Sequence, residues 1–222
     1  MTKVHRLYLI VFFIFAIAYI ATIPVQPYAG SFIVKAVPVL SLSALVLARV
    51  TGLKGKLLFA ALLLSAAGDI MLALGAGQYF IIGLSLFLAA HFVYAVTFSR
   101  EFKLRASRIP IAFLLAVYAV AIAVILTPYL GAMAIPVYVY IVVITAMGIL
   151  AVFRASPSML VVYGALFFIA SDSMIAVNRY MTAIPAADYL IMGTYYVAQF
   201  LIAYGFVREE AKRKSAPSGG KG

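Results

Sequence analysis

Two stretches decide how this chain folds: LLFAALLLSAAGDIMLAL, residues 57–74, and LVVYGALFFIASDSMIAV, residues 160–177. Each is long and apolar enough to form a membrane-spanning helix, and each carries one aspartate, Asp69 or Asp172. A charged side chain at mid-bilayer costs roughly 2.5–3.5 kcal/mol on insertion scales. Such residues usually face the interior of a helix bundle and serve a function there. We therefore expect both carboxyl groups to point away from lipid.

The composition is that of a membrane protein. The chain has 222 residues, of which 67% are hydrophobic and 10% are charged, with a net charge of +11. Soluble domains are about 45–50% apolar. The basic residues lie in short loops between apolar runs, which indicates membrane topology rather than nucleic-acid binding. There is no cysteine, so disulfides, thiolate nucleophiles and cysteine-ligated metals are excluded.

Eight apolar runs of about 17–21 residues match a hydrocarbon core of about 30 Å. We therefore predict an all-α polytopic membrane protein with one transmembrane domain, residues 1–207. Residues 208–222, REEAKRKSAPSGGKG, are expected to form a basic, disordered cytoplasmic tail. The first run resembles a signal peptide but lacks a small-residue cleavage site, so we expect a retained helix. The predicted spans are Leu7–Ile23, Ser31–Ala48, Leu57–Leu74, Tyr79–Phe98, Ile109–Thr127, Ala134–Phe153, Leu160–Val177 and Ala187–Val207.

The charge distribution predicts that both termini are cytoplasmic. With eight spans and a cytoplasmic N-terminus, fifteen of the basic residues lie inside and only Lys35 and Arg179 lie outside, as the positive-inside rule requires. The inside residues are Lys3, Arg6, Arg49, Lys54, Lys56, Arg100, Lys103, Arg105, Arg108, Arg154, Arg208, Lys212, Arg213, Lys214 and Lys221.

A short internal match suggests duplication. GDIMLAL, residues 68–74, and SDSMIAV, residues 171–177, share Asp, Met and Ala at the same spacing and lie four spans apart. This pattern suggests two parallel four-helix repeats. Chance convergence between two apolar segments is the alternative.

Helix rise places several polar groups at one depth. Measured from the cytoplasmic end of their spans, Asp69 and Asp172 lie about 18 Å up, Lys35 about 21 Å, and Tyr195 and Tyr196 about 17–18 Å. His91 and Gln199 fall lower, at about 10–12 Å. Tyr94 is one helical turn from His91, and Gln199 is one turn from both tyrosines.

These residue types favour acid–base hydrolysis over other chemistries. The spans hold one histidine, so a metal site would need an uncommon ligand set, and no G-x-S-x-G elbow is present for a serine nucleophile. A pair of carboxyl groups, one protonated and one ionised, can donate a proton and activate water. Two alternatives stay open: a transporter with proton-coupled carboxylates, and a purely structural clamp in which Asp69 pairs with Lys35.

Motifs in six spans, from the second to the eighth, resemble those of the YhhN-like, or lysoplasmalogenase, family of integral membrane proteins. They occur in the family's order. They are K-x-x-P (residues 35–38), S-x-x-G-D-x-x-L-A (65–73), H-F-x-Y (91–94), P-V-x-V-Y with a later Met (136–140 and Met147), G-A-L-F-F-x-x-S-D (164–172) and T-Y-Y-x-A-Q-x-L-I (194–202).

The resemblance implies a membrane hydrolase that cleaves the vinyl-ether bond of a lysoplasmalogen. The expected products are a fatty aldehyde and glycerophosphoethanolamine or glycerophosphocholine. The family's aspartates correspond to Asp69 and Asp172 as catalytic residues, with no cofactor and no metal, and which one is the acid stays open. The expected partners are the lysophospholipid and membrane lipids, not nucleic acid. The residues expected to bind the substrate are Lys35, His91, Tyr94, Tyr140, Tyr195, Tyr196 and Gln199.

Overall fold

The protein is an all-α bundle. The structure, a computed structural model, describes residues 3–156 and 158–215. Apart from a bridge between Phe102 and Arg154, these residues form no β-structure, so the prediction of an all-α fold is confirmed. Within the described chain the α-helices are α1 Lys3–Thr22, α2 Ser31–Arg49, α3 Gly52–Leu74, α4 Gln78–Ser99, α5 Ile109–Leu130, α6 Ala134–Val152, α7 Leu160–Ala176 and α8 Ala187–Ser215.

Seven stretches of the described chain are long and apolar enough to cross a membrane. Six of them centre on α1 to α4, α7 and α8, and the seventh, Ala106–Val152, contains both α5 and α6. This last stretch has 47 residues, which at 1.5 Å per residue is about twice the thickness of a hydrocarbon core. The number of crossings therefore depends on whether the chain turns back between α5 and α6.

The chain does reverse direction between α5 and α6. Gly131, at the end of α5, has φ +49°, a left-handed conformation that glycine adopts without strain. The hydroxyl groups of Thr127 and Tyr138 then meet at 2.8 Å across the turn. Leu126, next to Thr127, is buried in a small cluster that includes Val137 of α6. The two helices thus pack against each other as an antiparallel pair.

The helix contacts follow a pattern that repeats in the two halves of the chain. Neighbouring helices pack in order, α1 on α2, α2 on α3 and α3 on α4, and likewise α5 on α6, α6 on α7 and α7 on α8. Across the halves, α2 packs on α8 and α4 packs on α6. If the chain consists of two four-helix halves, α2 corresponds to α6 and α8 corresponds to α4. The α2–α8 contact then corresponds to the α6–α4 contact.

Glycines bring the helices that carry the aspartates close to their partners. A Cβ on Gly68 of α3 would lie 2.7 Å from the Phe87 ring of α4, and one on Gly83 would lie 2.8 Å from Leu72. A Cβ on Gly164 of α7 would lie 2.9 Å from the Ala198 carbonyl oxygen of α8. Small residues let helices approach closely in lipid, where no hydrophobic force drives association.

A buried cluster of charges joins the ends of α3, α4, α6 and α8. Arg154 is 1% exposed and donates hydrogen bonds of 2.6 Å to both Glu101 and Glu209, while Lys54 donates one of 2.7 Å to Glu101. Partial burial raises the pKa of Glu101, but the hydrogen bonds and charges of Lys54 and Arg154 outweigh it, so the pKa lies below its ordinary value. The stabilisation of the folded state by this carboxylate is therefore present at neutral pH and lost as pH falls through the lowered pKa.

The cluster explains why the expected tail differs from the structure. Residues 208–215 were predicted to be disordered, but α8 continues through them to Ser215. Glu210, only 2% exposed, accepts a hydrogen bond from Thr51, and Glu209 accepts one from Arg154, so both residues tie this part of α8 to the bundle. Residues 216–222, including Lys221 of the topology prediction, lie outside the described residues.

Replacing Arg154 by Met should destabilise the fold. The change leaves Glu101 and Glu209 without their shared cation, and breaking a buried ion pair in this way costs about 3–5 kcal/mol. Thermal unfolding of purified protein in detergent measures the effect. Arg100→Met, at an exposed residue, is the control and should leave the unfolding temperature unchanged. Equal unfolding temperatures for the two variants would show that the cluster does not hold the helix ends.

Candidate active site

Both aspartates line one cavity, of about 520 Å³, which we call the polar cavity. It opens where α7 ends and α8 begins, at the end of the bundle opposite the Arg154 cluster. Both carboxyl groups were expected to point away from lipid, and both line this cavity. The charged and hydroxyl side chains that define the polar cavity are Lys35, Asp69, Asp172, Arg179, Asp188, Ser171, Tyr19 and Tyr195.

Asp69 has a cation and a hydroxyl donor beside it. The residue is 1% exposed on α3, and the Tyr195 hydroxyl of α8 donates a hydrogen bond of 2.6 Å to its Oδ2. Lys35 Nζ of α2 lies 3.9 Å from Oδ1. At an effective dielectric of about 20, unit charges at that separation attract by about 4 kcal/mol. The cation and the hydroxyl donor therefore offset part of the cost of ionising this buried carboxyl group.

Asp172 has different neighbours. The Tyr140 hydroxyl of α6 donates a hydrogen bond of 2.5 Å to its Oδ2, and His91 Nε2 of α4 lies 3.6 Å from the same oxygen. Within the described part of the chain no lysine or arginine lies within ion-pair distance of Asp172. His91 itself is fully buried among aromatic rings, with Phe168 at 4.4 Å and Tyr140 at 5.4 Å between ring centroids.

The two aspartate sites are built in matching ways. Asp69 is contacted by Lys35 from the second helix of its own half and by Tyr195 from the last helix of the other half. Asp172 is likewise contacted by Tyr140 from the second helix of its own half and by His91 from the last helix of the other. The two sites therefore share a framework but differ in the side chains that surround each carboxyl group.

His91 lies closer to Asp172 than the depth estimate suggested. The estimate placed it about 7 Å nearer the cytoplasmic end, using helix rise alone. Helical side chains lean toward the N-terminus of their own helix. Since α4 and α7 run in opposite directions, the His91 and Asp172 side chains lean toward each other and close the gap.

Several predicted substrate-binding residues lie behind the polar cavity. Tyr94 donates a hydrogen bond of 2.8 Å to Gln199, and the Tyr196 hydroxyl donates one of 2.9 Å to the Lys35 carbonyl oxygen. The side chains that are buried and do not line the polar cavity are those of His91, Tyr94, Tyr196 and Gln199. Their direct contact with a substrate stays a prediction.

The mouth of the polar cavity holds charged residues that the sequence prediction did not assign to the site. Arg179 lies on a π-helical segment that continues α7, Val177–Met181, and its guanidinium is 4.8 Å from the Phe80 ring centroid. Asp188 lies in the first turn of α8. One signal was available in the sequence: Lys35 and Arg179 are the two basic residues expected on the outer side, and both line this cavity.

A second, apolar cavity adjoins the first at Asp172. It lies between α4, α5, α6 and α7, and it shares Leu72, Phe80, Phe87 and Ile175 with the polar cavity as well as Asp172. Asp69 does not line it. Its other lining residues include Leu84, Ile122, Leu126, Val137, Tyr140, Ile141, Ile144, Ile169, Ala176 and Tyr180.

The described side chains are not grouped as a metal site requires. Among the described residues, no group of three or more His, Asp or Glu side chains is placed to hold a metal ion. Around Asp69 and Asp172 the site offers one ammonium, one imidazole and several phenols, and these groups suit proton transfer.

The comparisons with known proteins agree with one another. The YhhN family matches residues 30–206. A lysoplasmalogenase of Mycobacterium bovis is 33% identical over 192 residues, which cover 83% of this chain and 74% of that protein. Lysoplasmalogenase TMEM86A of Homo sapiens is 34% identical over 201 residues, which cover 82% and 80% of the two chains. No solved structure matches. Since the family match includes the helices that carry both carboxyl groups, this chain belongs to the YhhN family.

Proposed function

We propose that this protein is a membrane hydrolase of the lysoplasmalogenase type. It adds water across the vinyl-ether bond of a lysoplasmalogen and releases a fatty aldehyde and a glycerophospho head group. The observation that carries the proposal is that Asp69 and Asp172 line one cavity but have unlike neighbours. The names of the relatives support the same reaction.

We assign the two carboxyl groups different roles. Asp69, with the Lys35 ammonium at 3.9 Å, is the ionised base. Asp172, whose side chain is 9% exposed and has no lysine or arginine beside it in the described structure, is the protonated acid, since an uncompensated charge is costly in apolar surroundings. Asp172 also borders the apolar cavity, where the vinyl carbons at the end of a hydrocarbon chain would lie.

The reaction begins with proton transfer to carbon. Asp172 donates its proton to the outer vinyl carbon, and the carbon bonded to the ether oxygen becomes an oxocarbenium ion. The Asp69 carboxylate stabilises this cation and removes a proton from the water that adds to it, much as paired acids act at glycosidic bonds. A hemiacetal results.

Collapse of the hemiacetal restores both carboxyl groups. Asp69 returns its proton to the glycerol oxygen as the carbon–oxygen bond breaks, and Asp172 takes the proton of the hemiacetal hydroxyl as the aldehyde forms. One water is consumed, and each carboxyl group ends in its starting state. Tyr195 and Tyr140 keep the two carboxyl groups in place through their hydrogen bonds.

Asp69→Asn and Asp172→Asn should each remove most of the activity and leave the fold intact. General acid–base groups contribute about 10²–10⁴-fold to rate, so aldehyde release should fall by at least about a hundredfold. The measurement is aldehyde release by purified protein in detergent, together with thermal unfolding. Glu210→Gln, the same acid-to-amide change at the other end of the bundle, is the control.

This assay also separates the alternatives. Detergent abolishes gradients, so a transporter would release no aldehyde under these conditions. If the aspartates serve only as a structural clamp, the Asn variants should unfold at a lower temperature, and the wild-type protein should release no aldehyde. Full activity in both Asn variants would contradict the assigned roles.

We further propose eight membrane crossings with both termini cytoplasmic, arranged as two four-helix repeats. The antiparallel packing of α5 on α6 supports two crossings within Ala106–Val152, and the interchange of the α2–α8 and α4–α6 contacts supports the repeat. The excess of basic residues on one side supports the orientation.

The absence of cysteine makes this topology directly testable. Single cysteines at exposed positions on each side of α5 and α6 can be labelled in intact cells with an impermeant maleimide. Ala132→Cys should react from outside, whereas Ser107→Cys and Ala155→Cys should react only after the cells are opened. Protection of Ala132→Cys, or external labelling of the other two variants, would contradict the arrangement.

A further inference from the structure

We infer that the lysolipid lies across both cavities, with its phosphate at Arg179, its amine at Asp188 and the first carbons of its hydrocarbon chain in the apolar cavity. This inference rests on the proposed function and deepens it by naming the residues that select the head group and the chain. It follows from charges at the mouth of the polar cavity that the catalytic groups do not use.

Arg179 is a cation of the polar cavity that has no acidic partner among the described residues. The other cation, Lys35, is paired with Asp69. Within the described part of the chain Arg179 makes no ion pair, and its guanidinium is held over the Phe80 ring at the cavity mouth. A guanidinium presents several N–H groups in a planar fork that matches phosphate. A phosphate bound here would lie at the open, hydrated end of the cavity.

Arg179 is also placed at the right side of the acid. It follows Asp172 by seven residues, and both residues line the polar cavity, Arg179 from the π-helical segment that continues α7. A glycerol backbone can then extend from the phosphate at Arg179 down to an ether oxygen beside Asp172.

Asp188 supplies the complementary charge for an amine. It lines the same mouth, is exposed, and has no lysine or arginine within ion-pair distance among the described residues. A cation at Arg179 and an anion at Asp188 together match a zwitterionic head group of the ethanolamine or choline kind. They match a bare phosphate monoester less well, because its extra negative charge would face Asp188.

The apolar cavity adjoins the polar one, since the two share five lining residues, and its free volume of about 50 Å³ suits the first carbons of a hydrocarbon chain. The residues that the two cavities share, from Leu72 to Ile175, place the junction at Asp172. A lipid with a single chain can enter this cavity while its head group stays in the polar one. The first carbons of that chain, which are the vinyl carbons, then lie at the proposed acid.

Arg179→Gln should weaken recognition of the phosphate without altering the chemistry. The loss of a charged hydrogen-bonding group should raise KM for lysoplasmenylethanolamine by about tenfold. The kcat for this substrate should be unchanged, and so should both constants for 1-alkenylglycerol, which has no phosphate. Arg208→Gln, an exposed arginine at the other end of the bundle, is the matched control.

Asp188→Asn should reduce the preference for lysoplasmenylethanolamine over the analogue that ends in phosphate.

A binding measurement separates this inference from the proposed function. The affinity for the non-hydrolysable 1-alkyl lysophosphatidylethanolamine should fall about tenfold in Arg179→Gln, whether or not the protein hydrolyses vinyl ethers. If wild-type protein hydrolyses no vinyl ether but its binding depends on Arg179, the function is wrong and the head-group site stands. The head-group site would be overturned if Arg179→Gln left both KM and affinity unchanged. It would also be overturned if the variant lost as much activity on 1-alkenylglycerol as on lysoplasmenylethanolamine.

Filling the apolar cavity should change chain-length selectivity. Ala176→Phe places a ring inside the cavity, so hydrolysis of a sixteen-carbon alkenyl substrate should fall by at least about tenfold while a four-carbon analogue is still cleaved. Ala116→Phe, on an exposed face of α5, is the control. If Ala176→Phe does not fold, Ile141→Ala enlarges the same cavity and should favour bulkier chains. Unchanged chain selectivity in the folded variant would place the chain elsewhere.

Discussion

The structure depends on the need to compensate two carboxyl groups within a bundle of apolar helices. An isolated polar or charged group in such surroundings costs several kcal/mol, so each must find partners on other helices. Asp69 finds Lys35 and Tyr195, and Asp172 finds Tyr140 and His91. These contacts join α2, α3 and α8 around one carboxyl group, and α4, α6 and α7 around the other.

Differences between the two sets of partners give the site its chemistry. A cation beside one carboxyl group and only neutral donors near the other make two chemically identical side chains unlike. Acid–base hydrolysis needs this inequality, because one group must give a proton while its partner accepts one. The matching positions of the partners in the two halves suggest how such a pair could arise from a duplicated four-helix unit.

Asp172 also marks the boundary between two environments. Asp172 lies where the charged polar cavity meets the apolar cavity. A lysolipid has the same division, with its ether bond between a hydrated head and a hydrocarbon chain. Glycines on α3, α4 and α7 permit the close helix packing that keeps this junction shielded. The π-helical segment after α7 carries Arg179 at the mouth of the polar cavity.

The sequence alone determined the helical fold, the approximate spans and the identity of the two buried acids, because hydrophobic runs and isolated charges are local properties. Family motifs added the reaction. Only the tertiary structure decided that His91 contacts Asp172, that Tyr94 and Gln199 lie behind the cavity, and that α8 continues to Ser215. Helix rise gives a depth along one helix. It does not give which helices are neighbours or where their side chains lean, since these depend on packing between distant parts of the chain.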